Sequence, residues 1–248
     1  TSPRLSDTLN RAVGAMAADG LHGPTYAAGR PAKSQDSTLH LRPAAMTNDH
    51  LLRSRPGARH RLVLLHGWGA DAEDLLPLGE ALTADLPKPV ELVALRAPDL
   101  HPQGVGRQWY GLFPADWSAV PAACQELNHR LQSLCDVNRP LERTVVLGFS
   151  QGAAMALASG CDLPLAGLIA CSGYPHPGWT SPQRRPPVLL VHGTRDEVVP
   201  FSASETLQSL LNGDTSSPRA ELQTSDEGHT IAAASLPAIQ AALSRWWS

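Results

Sequence analysis

The sequence predicts an α/β protein with a mostly parallel central sheet and helices on both faces. From residue 61 onward, short apolar runs alternate with longer segments of helical spacing, the order that builds βαβ units. The runs are rich in Val, Leu and Ile on consecutive positions, as in strands covered on both sides. Residues of catalytic type gather just after these runs, where open α/β sheets hold their sites.

The elements follow in order. Residues 61–65 read as a buried strand ending at His66-Gly67. Asp71 caps a helix running to about Leu86, with Leu75, Leu76, Leu78, Leu82 and Leu86 near helical spacing. A strand at 90–95 precedes a helix at 119–135, whose Leu127, Leu131 and Leu134 share a face. A strand at 143–147 leads into an alanine-rich helix at 151–159. Strands at 165–171 and 187–192, a helix at 202–211, a strand at 219–224 and a last helix at 230–247 complete the pattern. No internal repeat is visible, and no long insertion between strands suggests a large lid.

Residues 1–57 differ from the rest: they mix Ser, Pro, Gly, Arg and Thr without sustained periodicity, hold few large apolar residues, and only 9–18 has helical character. They read as an atypical N-terminal extension, disordered or an upstream remnant, with the catalytic domain at 58–248. An apolar fraction of 42% in 248 residues allows a sizeable core. No apolar stretch approaches the roughly 18 residues of a membrane helix. A net charge of −3 without a basic stripe argues against nucleic-acid binding. Cys124, Cys135, Cys161 and Cys171 have neither C-x-x-C nor zinc spacing, so they read as thiols in a reducing compartment. With no signal-peptide pattern at the start, the expected location is the cytoplasm.

The stretch Leu147-Gly148-Phe149-Ser150-Gln151-Gly152 fits G-x-S-x-G between a strand and a helix, the nucleophile elbow. A turn that tight leaves no room for side chains at Gly148 and Gly152, and it strains the serine backbone. A serine hydroxyl needs a base and a group to orient that base. In this architecture they follow in the order serine, acid, histidine. Asp196 lies in the loop after the 187–192 strand, and His229 in the loop after the last strand. Glu197 is the neighbouring alternative acid; Asp226 and Glu227 lie too close to His229 in sequence to orient it easily. His66 and His192 each end a strand before glycine and read as structural. For the oxyanion, the main-chain N–H of Gln151 supplies one donor. The loop Leu65-His66-Gly67-Trp68-Gly69 supplies another through Trp68.

Together, L-H-G-W-G, G-F-S-Q-G, H-G-T-R-D-E-V-V-P and G-H resemble the phospholipase/carboxylesterase family of α/β-hydrolases over about residues 60–248. That family includes acyl-protein thioesterases and small bacterial carboxylesterases. The resemblance implies an α/β-hydrolase fold, Ser150, Asp196 and His229 as the triad, and Trp68 and Gln151 as the oxyanion donors. It also places Arg107-Gln108-Trp109-Tyr110 beside the acyl pocket. Trp109, Tyr110, Phe113 and Trp117 cluster as a candidate wall for that pocket, although each singly would also suit the core. The expected reaction is hydrolysis of short-to-medium acyl esters without metal or cofactor. The partner is a small acyl ester, and a homodimer is allowed. A thioesterase, an acyltransferase and a non-catalytic binding protein are the competing readings.

Overall fold

In a computed structural model of the chain, residues 50–213 and 218–248 are described. The stretch 1–49, including the helix read at 9–18, lies outside them. The strands are β1 His50–Arg53, β2 His60–Leu65, β3 Val90–Leu95, β4 Asp99–Leu100, β5 Arg107–Gln108, β6 Thr144–Phe149, β7 Gly167–Cys171, β8 Val188–Gly193 and β9 Glu221–Ser225. The helices are α1 Leu76–Thr83, α2 Val120–Ser133, α3 Gln151–Gly160, α4 Ser202–Leu211 and α5 Leu236–Trp246.

Seven strands form one sheet in the order β1-β3-β2-β6-β7-β8-β9, parallel throughout except for β1. Every residue of β3, β7 and β8 is buried, which explains their largely apolar runs; Glu91 of β3 and His192 of β8 are buried polar exceptions. Alternate side chains enter separate cores. Leu62 and Leu64 of β2 pack with Leu76 and Leu82 of α1 and Ile239 and Leu243 of α5. Val63 and Leu65 face the opposite core with Leu127 and Leu131 of α2, Met155 of α3 and Leu207 of α4.

The structure moves some expected boundaries. His50–Arg53 lies in the stretch assigned by composition to the extension, yet it pairs antiparallel with β3, His50 opposite Leu95 and Arg53 opposite Leu92. Being an exposed edge strand, it lacks the apolar run that marks a buried one. The helix expected from Asp71 to Leu86 starts as a 3-10 turn, Ala72–Leu75, held by a reciprocal capping box between Asp71 and Asp74. It stops at Thr83, short of Pro87, which disfavours helical backbone before it. The last helix begins only at Leu236, with Pro237 in its first turn.

At the strand starts, Arg61 and Glu91 are both buried and meet at 2.6 Å, with Arg139 3.2 Å from the same carboxylate. At the other end, sheet topology creates the site. From β2 the chain passes first to β3 and later returns to β6 on the opposite side. The carboxyl ends of β2 and β6 therefore flank the crevice where ligands of open α/β sheets bind.

Candidate active site

β6 delivers the chain into the elbow, and Ser150 takes φ 55° and ψ −118°. This conformation costs about 1–3 kcal/mol and persists only where its surroundings enforce it. The enforcement is visible. The Ser150 N–H donates to Cys171 O at 2.8 Å, and the Ala153 N–H donates to Ser150 O at 2.9 Å. A Cβ at Gly148 would collide with the Gly152 carbonyl, and one at Gly152 with the carbonyls of Leu65 and His66. The spacing of the two glycines is thus set by helix-to-strand contact.

Three of the expected residues meet. The Ser150 hydroxyl lies 3.0 Å from His229 Nε2, and His229 Nδ1 lies 2.8 Å from Asp196 Oδ2. Asp196 comes from the loop after β8 and His229 from the loop after β9; Phe149 packs against the His229 ring at 4.8 Å. The other Asp196 oxygen accepts the Val198 and Val199 N–H groups, each at 2.9 Å. Burial alone would push this carboxyl up. The hydrogen bonds from His192 and His229, the His229 charge and the Val199 amide outweigh burial and hold it well below the usual carboxylate range. Glu197 is not part of this set. Asp226 pairs with Arg195 at 2.8 Å on the surface.

His192 has a larger part than its place in the motif indicates. Its buried ring lies with Nε2 3.3 Å from Asp196 Oδ2, and the same nitrogen donates to Val199 O at 3.0 Å. Nδ1 lies 2.6 Å from the Ser204 hydroxyl, a contact that holds the ring with Nε2 toward the loop. The available signal was its spacing, four residues before the acid at a strand end. His66 is structural as expected: its Nδ1–H donates to Gly67 O and its Nε2 accepts from Ala97 N–H, while burial lowers its pKa.

The second loop carries Trp68 beside the elbow; a Cβ at Gly67 would come within 3.4 Å of Ser150 Cβ. Among the described residues, neither the Trp68 nor the Gln151 main-chain N–H donates to a protein acceptor. The Trp68 indole donates to Gln108 Oε1 at 3.0 Å and packs edge-on against His101 and Phe113. Paired hydrogen bonds join Gly69 and Ala70 to Arg107, and Asp71 meets Arg96 at 2.6 Å, so the loop is fixed from below.

The aromatic cluster divides. Trp109 and Tyr110 are 2% and 1% exposed, turned into the core, so they do not present an open wall. Their polar atoms explain the inward direction: the Trp109 indole reaches His66 O, and the Tyr110 hydroxyl meets Tyr174 at 2.7 Å and His176 at 2.9 Å. Phe113 and Trp117 are half-buried, the former against Trp68 and the latter against Tyr110. Tyr174 and His176 open residues 174–187, a stretch rich in proline. The four cysteines are free. Among the described residues no cluster of three or more His, Cys, Asp or Glu side chains could hold a metal ion.

Strand order, elbow and site position define an α/β-hydrolase. A solved structure titled esterase PE8 is 31% identical, covers 79% of this chain and 98% of its own, and superposes with a TM-score of 0.65. The Bacillus cereus carboxylesterase shares the fold at 21% identity and a TM-score of 0.66, covering 79% of this chain and 93% of its own. The chain belongs to the phospholipase/carboxylesterase family, whose model matches residues 50–247. Named acyl-protein thioesterase 1, the Yarrowia lipolytica protein is 39% identical over 33% of this chain, and that of Neurospora crassa 31% over 42%. These alignments span 41% and 51% of those relatives, about half their length.

Proposed function

We propose that the chain is a serine carboxylesterase that hydrolyses short-to-medium acyl esters through an acyl-enzyme on Ser150. The observation that carries this is the continuous run Ser150 Oγ to His229 Nε2 at 3.0 Å and His229 Nδ1 to Asp196 Oδ2 at 2.8 Å. Asp196 stays ionised and takes the Nδ1–H of His229, which leaves Nε2 free to accept the serine proton. As Ser150 Oγ bonds to the acyl carbon, that proton passes to Nε2 and the carbonyl oxygen becomes an oxyanion. The amides of Trp68 and Gln151 stabilise it, an effect worth about 2.7–4 kcal/mol per donor in such sites. His229 then protonates the leaving alcohol, and water activated by the same nitrogen releases the acid.

Phe113 and Trp117 remain the aromatics available to the acyl group, together with Trp68, against which Phe113 packs at 4.9 Å. The free thiols support a reducing, cytoplasmic setting; among the described residues no helix is long and apolar enough to cross a membrane. A thioesterase acting on S-acylated proteins is the second reading, favoured by the names of the Yarrowia and Neurospora relatives. A panel of p-nitrophenyl esters from acetate to palmitate, run beside a thioester of matched chain length, separates the two. Greater kcat/KM on the esters supports the carboxylesterase, and a rate unaffected by Ser150→Ala excludes both.

A further inference from the structure

The two amides proposed to bind the oxyanion come from different loops: Gln151 follows β6, and Trp68 follows β2. Neither loop alone can set the distance between them. The side chains of Gln151 and Trp109, both buried, connect the two loops. The Trp109 main-chain N–H donates to Gln151 Oε1 at 3.0 Å, and Gln151 Nε2 donates to Tyr110 O at 2.9 Å. The glutamine amide therefore pairs with one stretch of backbone as another peptide would. From the same Trp109, the indole N–H donates to His66 O at 2.9 Å. His66 in turn donates from Nδ1 to Gly67 O at 2.8 Å, and its ring packs against Trp109 at 5.6 Å between centroids.

We infer that Gln151 and Trp109 are positioning residues that fix the separation of the two oxyanion donors, resting on the serine-hydrolase reading above. The path runs from Gln151 through Trp109 to His66, two positions before Trp68. Because it is buried, water does not compete for its hydrogen bonds, and each bond is stronger than it would be at the surface. Glutamine suits the position in a way its neighbours in size do not. Glutamate would accept from Trp109 but repel the Tyr110 carbonyl, methionine would do neither, and asparagine is one methylene shorter. The residue after the nucleophile thus has two separate tasks: its main chain faces the oxyanion and its side chain holds the opposite loop in register.

Trp109→Phe keeps the ring and deletes the bond to His66; Gln151→Met keeps the length and deletes both amide bonds. Active sites are first titrated with a fluorophosphonate, so that only folded, reactive enzyme is counted. For p-nitrophenyl butyrate, kcat of each variant is expected to fall about ten- to a hundredfold with KM nearly unchanged, the pattern of a misplaced transition-state donor. A trifluoromethyl ketone forms a hemiketal oxyanion when Ser150 Oγ adds to its carbonyl and the proton passes to His229. Its affinity is expected to fall by a similar factor. The double variant should be no worse than the weaker single variant, since both act on one distance. Wild-type kcat in Trp109→Phe, a kcat loss without matching loss of ketone affinity, or additive losses in the double variant would overturn the brace alone. An inert wild-type chain would overturn the hydrolase reading and the brace with it.

Discussion

Asparagine at position 196 changes one atom of a carboxylate that is surrounded by donors. Two of these are the Val198 and Val199 amides on Oδ1; the others, His229 Nδ1–H and His192 Nε2–H, face Oδ2. An asparagine must keep its oxygen toward the paired amides, because the reverse orientation sets NH2 against two N–H groups. Its NH2 then faces His229 and donates to Nδ1, so the ring carries its proton on Nε2. In that tautomer Nε2 cannot accept the Ser150 proton. The expected loss in kcat is about 10⁴-fold, the scale of a triad locked in the wrong tautomer, or about 5 kcal/mol. The NH2 also meets His192 Nε2–H, which adds an unsatisfied buried donor and costs about 1–3 kcal/mol of stability. Initial rates on p-nitrophenyl butyrate and thermal unfolding of Asp196→Asn read the two effects separately. A folded variant whose kcat falls less than about tenfold would refute this account of Asp196.

His176 gives a pH prediction. Burial lowers its pKa from 6.5 to about 4, so the unfolded chain binds a proton that the folded one refuses across that interval. Stability should be highest above pH 6.5 and fall as pH drops toward 4, by on the order of 3 kcal/mol from this group; unfolding midpoints of wild type and His176→Gln should converge in acid if this holds. Gly152→Ala should lose at least about 3 kcal/mol or fail to fold, since its Cβ falls on the Leu65 and His66 carbonyls; denaturant titration measures it. Arg61→Leu should cost about 1–3 kcal/mol by taking the 2.6 Å partner from the buried Glu91 carboxylate, which keeps Arg139 at 3.2 Å, read in the same titration.

Buried parallel strands, the elbow and the order of Ser150, Asp196 and His229 were legible because each rests on local chemistry: apolar runs, glycine spacing and loop position. β1 was not, because an exposed edge strand carries no apolar signature. Nor was the inward turn of Trp109 and Tyr110. An aromatic in a loop looks the same in sequence whether it lines a pocket or packs beneath one, and here distant acceptors on His66, Tyr174 and His176 decide. His192 and the Gln151 side chain were missed for a related reason. Their partners lie on other strands, and only the assembled sheet brings them within hydrogen-bond distance.

The central claim is that Ser150 is the nucleophile. Intact and peptide mass spectrometry after reaction with a fluorophosphonate tests it most directly, with residual esterase activity followed in parallel. One adduct per chain, located on Ser150, with activity lost in proportion and no adduct in Ser150→Ala, is the expected result. An active wild-type chain that stays unlabelled, or is labelled at another residue, would contradict it.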